Sequence, residues 1–538
     1  MPKMSGAQGL VRQLGSEGVT TVFALPGVQM MAAFDALYEV RDDIRLVHTR
    51  HEQATTYMAH GYSRVTGRVG VAMVVPGPGA LNAAAGLGTA YACSSPVLLI
   101  SGQISSDALG KGQGQLHEVE DQLDVFRPIT KWNSRVTRAE EIPETVHEAM
   151  RQLKTGRPRP VELEIPPDTL TATGNMEIIP PQEYPPSPAQ PSDIQEAAQL
   201  LAEAQKPLII AGGGTLLANA SQELLELTEF IQAPVITTPQ AKGILPEDHP
   251  LAVGAHYALV GPAHRVVPES DVILAVGTRL LIRDLQIKDS QKVIHIDADA
   301  GVLGKNHKTS IGIEADAREA LSQLLQKLQA VSSPKPSRRE EIAGYRRALV
   351  KEVRELAPQQ VDIIGTLRKR LDQDAIVVAG ITNIGYWSHL AYTVSQPRTY
   401  LTSSYFGTLG YAFPTALGAK VARPQQQVVA LCGDGGFMYN AQELSTAVQH
   451  GIHVLALVFN NNAYGASEWD QTHRYAEHYI GTDLHNPDFV QLAKSFGAVG
   501  MRTEPEGFDA ALQEALATNA PVVLEVKMPN LMPPFHIV

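Results

Sequence analysis

The chain has 538 residues, 44% of them hydrophobic and 19% charged, and a formal net charge of −12. That length exceeds what one hydrophobic core organises and predicts about three domains of ordinary globular composition. The acidic balance, with no basic cluster, argues against nucleic acid or an anionic membrane as partner, and no apolar run is long enough to span a bilayer. Only Cys93 and Cys432 occur, far apart and in apolar surroundings, which argues against a disulfide framework or a zinc site. The first residues, M-P-K-M-S-G-A-Q-G-L, lack the apolar core of a signal peptide, so a cytoplasmic protein is expected.

In chain order, Val19–Leu25 predicts a strand that stops at Pro26-Gly27, with Asp35–Tyr38 in the following helix. Ile44–His48 predicts a short strand leading into Arg50-His51-Glu52-Gln53, and the small and apolar residues of Ala54–Tyr62 predict a buried helix. Val69–Val75 is a strand ended by Pro76–Gly79, and Val97–Ser101 another, ended by Gly102-Gln103. Repeated strand, glycine turn and helix predicts an α/β fold with a doubly wound parallel sheet, assigned to residues 1–170. Taken alone, Glu52 is a favourable charge in a first helical turn, and His117, in G-Q-L-H-E-V-E-D-Q (114–122), is an ordinary surface or structural histidine.

The proline-dense stretch 178–192 predicts a linker. Residues 193–335 predict a second, Rossmann-like domain, with strands at Pro207–Ala211, Pro234–Thr238, Asp271–Val276 and Val293–Asp297. The G-G-G after the first of these (212–214) reads as a tight turn before it reads as a nucleotide site. A second linker, 331–341, leads to a third domain at 355–538.

There Ala375–Ala379 predicts a strand ended by G-I-T-N-I-G (380–385). Val428–Cys432 is an apolar run that stops at Gly433-Asp434-Gly435-Gly436. A helical stretch follows, then a second apolar run, Ile452–Phe459, stopping at Asn460-Asn461. This pattern predicts a β-α-β unit whose strands end at one sheet edge, bringing Asp434 and Asn461 together. A carboxylate and an amide oxygen suit Mg²⁺, while Gly435 and Gly436 open a helix whose bare N–H groups face an anion. A diphosphate bridged to the protein by Mg²⁺ fits both halves of that site.

These residues resemble the thiamine diphosphate signature of the decarboxylase and carboligase superfamily. Likewise R-H-E-Q (50–53), A-H-G-Y-S-R-V-T-G-R-V-G-V-A (59–72) and P-G-P-G-A-L-N (76–82) resemble the pyrimidine-binding domain of acetolactate synthase and its relatives. The resemblance covers nearly the whole chain and implies three doubly wound domains: pyrimidine-binding, central Rossmann-like and diphosphate-binding. It implies that Asp434, Asn461 and the carbonyl of Ala463 hold the metal. It makes Glu52 the catalytic carboxyl that hydrogen-bonds N1′ of the aminopyrimidine, in a dry site suited to proton work. Pro26 and Gly27 match the turn beneath the cofactor of the partner subunit, and Val75, Pro78 and Asn82 the stretch touching the aminopyrimidine. Several relatives place a glutamine where this chain aligns His117, in line with the substrate. His117 is thus an implied proton donor or acceptor, with Gln29 a second polar group near the same pocket.

In the third domain, F-G-T-L-G-Y-A-F-P (406–414) matches the segment under the cofactor. Leu409 becomes the wedge that bends thiamine into its V shape, and the Gly407 carbonyl the acceptor of its 4′-amino group. Gly385 falls on the diphosphate-side turn. Relatives that make acetolactate continue with a polar residue, His and Gln; Tyr386-Trp387-Ser388 is expected to form a bulkier, less polar wall. Residues 462–471 are expected to pass over the substrate, with Glu468, Trp469 and Asp470 as specificity candidates. Residues 474–489 are expected to form a lid-side loop and then a helix start, and the tail 533–538 either closes over a site or frays.

The segments I-L-P-E-D-H-P-L (244–251) and I-H-I-D-A-D (294–299) resemble a central domain that often holds FAD. Where those relatives carry their flavin segments, this chain reads V-G-T-R-L-L-I-R-D (276–284) and A-V-G-A-H-Y-A-L-V-G (252–261), so structural use alone is the preferred expectation. Because Glu52 and the metal motif lie in separate domains, the resemblance implies active sites at a dimer interface, in a homodimer or homotetramer. Substrates would be 2-oxo acids, aldehydes or acyloins. The implied activity is a 2-oxo acid decarboxylase or carboligase of the acetolactate synthase type. The alternative is an acyloin lyase of the benzaldehyde lyase type, which releases no CO2. A non-catalytic cofactor-binding regulator is disfavoured by the retention of Glu52, Asp434 and Asn461 together.

Overall fold

Buried parallel strands are apolar on both faces, because helices cover each side of the sheet; the chain builds three such sheets. The computed structural model describes residues 2–281 and 287–535. Residues 282–284 of the stretch compared with flavin-binding relatives, and 536–538 of the tail, lie outside the described residues. The first sheet contains β1 (Thr21–Ala24), β2 (Arg45–His48), β3 (Gly70–Val74), β4 (Val97–Gly102), β5 (Trp132–Arg135) and β6 (Val161–Ile165), ordered β2-β1-β3-β4-β6-β5. The second contains β7 (Pro207–Ala211), β8 (Val235–Thr237), β9 (Ala252–Ala255), β10 (Val272–Val276), β11 (Lys292–Asp297) and β12 (Ile311–Glu314), ordered β9-β8-β7-β10-β11-β12. The third contains β13 (Ile376–Ala379), β14 (Tyr400–Thr402), β15 (Val428–Gly433), β16 (Leu455–Asn460), β17 (Val499–Thr503) and β18 (Val522–Lys527), ordered β14-β13-β15-β16-β18-β17. All three are parallel throughout.

The first and third sheets share one topology. In each, the strand order reverses between the first and third strands, and crevices that take ligands open at such switch points. In the first sheet this point lies between the turns after β1 and β3, which hold Pro26-Gly27 and Pro76–Gly79. In the third it lies between the turns after β13 and β15, which hold Gly380–Gly385 and Gly433–Gly436. The central sheet has the dinucleotide-fold order, but its glycine turn is closed on itself. Gly212 N–H donates to the Val276 carbonyl and Gly214 N–H to the Gly277 carbonyl, each at 2.9 Å, so two amides of the kind that cradle a phosphate already have partners.

Two helices join the first and third domains. Helix α1 (Glu52–Thr66) is capped by His51, whose Nδ1 accepts the Gln53 N–H, and ends at Gly67, where φ is +75°. Twelve of its fifteen residues are buried, which explains the small and apolar run from Ala54. Helix α2 (Pro78–Ala92) packs beside it, and Ala412–Ala422 of the third domain crosses it at backbone contact. A Cβ on Gly61 would lie 2.1 Å from the Thr415 carbonyl oxygen, and one on Gly418 2.0 Å from that of Met58. One continuous apolar core accordingly holds Phe23 and Tyr57 of the first domain with Ile376 and Tyr411 of the third. Among the described residues no helix is long and apolar enough to cross a membrane.

Substituting Gly418 by Val should force these helices apart, at a cost of about 1–3 kcal/mol or more, and lower the melting midpoint by several degrees. Gly344→Ala, on an open helical surface with nothing within 4 Å of the new methyl, should raise it slightly. Differential scanning calorimetry of the two variants checks the contrast.

Candidate active site

A cavity of about 440 Å³ lies at the switch point of the third sheet. Its walls include Thr382 and Tyr386 after β13, Asp434–Gly436 after β15, Asn461 and Ala463 after β16, and Leu409. The aligned strands place these turns side by side: Ala379 pairs with Leu431, and Gly433 with Phe459. Asp434, Asn461, Ala463, Leu409, Gly433, Gly435 and Gly436 thus surround one space, although the chain brings them from three separate segments.

Asp434 is buried, and burial raises its pKa against the opposing pull of its bonds to Gly435, Asn486 and Asn462. Asn486 Nδ2 donates to Asp434 Oδ2 at 2.7 Å, to Asn460 Oδ1 at 3.1 Å and to Asn462 Oδ1 at 3.2 Å. Asn460 is further tied to Glu525 Oε1 at 2.7 Å. Of the three asparagines in N-N-N, Asn461 lines the cavity, whereas Asn460 and Asn462 brace the turn. A buried carboxylate beside an amide and a carbonyl, in a cavity lined by no Lys or Arg among the described residues, is a donor set that suits a hard divalent cation. The residues therefore fit a Mg²⁺-bridged diphosphate. Gly435 and Gly436 sit in the first turn of the helix Asp434–Met438. A side chain at Gly435 would collide with the ring of Tyr464, 2.6 Å from its Cβ, whereas Gly436 faces Leu409 and Gly410 at 3.8–3.9 Å.

The other predicted contacts divide. Gly385 packs its backbone on the Gly380 carbonyl and supports the cavity from behind rather than lining it. Gly407 is exposed with φ +60°. The expected wall Tyr386-Trp387-Ser388 reduces to Tyr386. Helical rotation turns Trp387 into the core, where Nε1 donates to the Met532 carbonyl at 2.9 Å, and Ser388 toward Tyr400, at 2.7 Å. Tyr386 is stacked on Tyr257 of the central domain and meets Phe535 edge-on. Residues 474–489 do run as a loop into the helix Phe489–Ser495, capped by Asp488. Glu468 accepts from Asn530 Nδ2 at 2.5 Å, and Trp469 stacks on His473; the helix carrying them (Gly465–Arg474) lines the cavity through Gly465, Ala466 and Ser467.

A second group of residues gathers at the switch point of the first sheet. Asn82 Nδ2 donates to Glu52 Oε2 at 3.0 Å. A Cβ on Gly79 would lie 3.5 Å from Glu52 Oε1 and 2.6 Å from Val75, and one on Gly27 2.3 Å from Val75. Gln29 Nε2 donates to the Leu116 carbonyl at 3.1 Å, placing Gln29 beside His117, whose Nδ1 is buried without a protein partner. Pro26, Pro78 and Asn82 are exposed, as are Val28 and Met31. Glu52, Gln29 and His117 therefore belong to one half-site, open on one side. Among the described residues, none of the first domain lines the cavity that holds Asp434.

One important residue escaped the sequence reading. Glu443, fully buried, accepts the Arg50 N–H at 3.1 Å and the His51 N–H at 3.0 Å, and Thr446 Oγ1 donates to it at 2.6 Å. Burial lifts its pKa to about 7, despite these bonds. It thereby holds the turn that starts α1 at Glu52. It carries no local sequence signature, since its partners lie some 390 residues away.

The fold and the cavity define an enzyme that works through a bound diphosphate cofactor. Three family profiles match: thiamine pyrophosphate enzyme N-terminal TPP binding domain at residues 4–125, central domain at 194–324 and C-terminal TPP binding domain at 380–526. The chain is 36% identical to the "Probable acetolactate synthase large subunit" of Methanocaldococcus jannaschii, over 97% of this chain and 92% of that one. It is 36% identical to the acetolactate synthase large subunit of Corynebacterium glutamicum, over 97% and 86%. It is 35% identical to the "Probable 2-ketoarginine decarboxylase AruI" of Pseudomonas aeruginosa, over 97% and 94%. The chain belongs to the thiamine pyrophosphate enzyme family, as a thiamine diphosphate-dependent enzyme of the acetolactate synthase-like decarboxylase and carboligase group.

Because Glu443 binds its proton more tightly folded than unfolded, it stabilises the fold fully below its unfolded pKa, near 4.5, and this contribution is lost as pH rises through about 7. Thermal melts from pH 5 to 8 should show that decline, on the order of 1–3 kcal/mol, flattened in Glu443→Gln.

Proposed function

We propose that the chain is a 2-oxo acid decarboxylase or carboligase that works as a homodimer or a larger even assembly, with Mg²⁺ and thiamine diphosphate bound between two copies. The observation that carries this reading is the separation of the two half-sites: Asp434, Asn461 and Leu409 share a cavity that Glu52 of the same chain does not enter. A second copy, turned so that its Glu52 face meets the cavity, completes the site and covers the exposed Val28, Met31 and Leu81 on one side and Met438 and Tyr439 on the other.

In that arrangement Asp434, Asn461 and the Ala463 carbonyl hold the metal, while the amides of Gly435 and Gly436 face the diphosphate. Leu409, on the cavity wall, would pack against the cofactor. Glu52, oriented by Asn82, would hold and pass on a proton at its carboxyl. The bound cofactor supplies the electron sink that lets a bond beside a carbonyl break. His117 and Gln29 orient the substrate and move a proton at its carbonyl or hydroxyl oxygen. The central domain acts structurally, consistent with the engaged amides of Gly212 and Gly214. Fold alone does not choose the donor.

CO2 release from pyruvate, with thiamine diphosphate and Mg²⁺ added, tests the reaction. Release is expected, and product analysis separates acetaldehyde from acetolactate. With cofactor bound and no CO2 from pyruvate or bulkier 2-oxo acids, cleavage of acyloins would favour the lyase. Asp434→Ala should abolish cofactor binding in fluorescence titration. Glu52→Gln should keep binding but lower kcat by about 100-fold or more. Size-exclusion chromatography with light scattering should show at least a dimer, and an active monomer would sink the shared-site arrangement.

A further inference from the structure

Beneath the Glu52 half-site lies a buried polar network that the proposed reaction does not use. β6 places Glu162 and Glu164 on one face, two residues apart and both fully buried. Two neighbouring carboxyls in a core are costly unless charge and hydrogen bonds compensate them. Glu164 is compensated, because Oε2 accepts from Arg135 Nε at 2.6 Å and from Gln103 Nε2 at 3.1 Å. Glu162 is not: Ser101 Oγ donates to its Oε1 at 2.6 Å, and Oε2 has no partner. Burial first, and the charge of Glu164 second, raise the pKa of Glu162 well above the usual carboxylate range.

Gln122 connects this pair to the half-site. Its carboxamide is fully buried, and Nε2 faces Ser101 Oγ at 3.0 Å, the Gly102 carbonyl at 3.2 Å and Glu164 Oε1 at 3.3 Å. Those acceptors fix the orientation of the amide. Its oxygen is left to accept the Gly77 N–H, at 2.8 Å. Gly77 has φ +57° and starts α2 without a side-chain cap. A Cβ there would lie 2.4 Å from the His117 carbonyl oxygen, so the loop bearing His117 rests directly on this turn. Four residues into α2 stands Asn82, which donates to Glu52.

We propose that Gln122, held by Ser101, the Gly102 carbonyl and Glu164, is a positioning residue for the Glu52 half-site: it fixes the Gly77 turn, and with it the place where Asn82 meets Glu52 and where His117 lies. The proposal rests on the assignment of Glu52 to the cofactor ring. Gln122 touches neither substrate nor cofactor, and acts through α2.

A double-mutant cycle tests it on the full-length protein with thiamine diphosphate and Mg²⁺ bound. The readouts are the rate of hydrogen exchange at the cofactor's C2 in D2O, measured by acid quench and NMR, the cofactor affinity from fluorescence titration, and the melting midpoint. Gln122→Met, close in shape but unable to hold either end of the network, should slow exchange about tenfold, the order expected for one lost charge-linked hydrogen bond. Affinity should stay within about twofold, because the Asp434 half is untouched. In a Glu52→Gln background the same change should have no further effect on exchange. An equal slowing in both backgrounds, or none in either, overturns the proposal. If Glu52→Gln itself exchanges at the parent rate, the assignment of Glu52 fails first and separately. Should Gln122→Met not fold, Ser101→Ala, which removes one of the three acceptors that orient the amide, should show a smaller slowing with the same dependence on Glu52; a slowing independent of Glu52 again overturns it.

Discussion

The close backbone contact between α1 and the helix Ala412–Ala422 governs the geometry of everything else. Gly61 and Gly418 let the two helices approach until each would meet the other's carbonyl oxygen, a spacing that no side chain permits. With the first and third domains locked in this way, the start of α1, at Glu52, has one fixed position in its own chain. That position is outside the cavity holding Asp434. Two sheets of identical strand order thus each gather candidate site residues at the switch point, and the contact that joins them within a chain also keeps the two groups apart. The proposed second copy follows from that constraint.

What was legible in the sequence tracks how local each signal is. The strands β1, β3, β7, β10, β13 and β15 announce themselves because a strand buried on both faces is a continuous apolar run ended by glycine or another turn former. The strands passed over have physical reasons for their silence. β6 and β18 carry Glu162, Glu164 and Glu525 inside the core, so their apolar runs are broken by charges that only distant partners neutralise. β9 is interrupted by Gly254, and β5 is a short, half-buried edge strand.

The site divides along the same line. Asp434, Asn461 and Leu409 meet in one cavity because each follows directly from a strand end or its turn, where the register of the sheet decides the neighbours. Glu443, Asn486 and Gln122 were not legible, since each takes its role from bonds to groups tens to hundreds of residues away. Trp387 shows the opposite error. Adjacent residues in a helix point about 100° apart, so neighbours of Tyr386 in sequence are not its neighbours on the wall.

Buried acids separate supporting roles from chemical ones in this chain. Glu443 satisfies itself on backbone N–H groups, and Glu162 accepts one serine hydroxyl on Oε1, both in buried positions. For both, burial raises the pKa. Asp434 is also buried and also lifted by desolvation, but it faces an open cavity with an unengaged amide, Asn461, across from it. Of these three acids, Asp434 is the one that lines the cavity, where a cation could offset its charge; a carboxylate compensated in that way is held ionised. The same physical cost, burial of a carboxyl, therefore fixes a turn where the packing is closed and makes a ligand site where it is open.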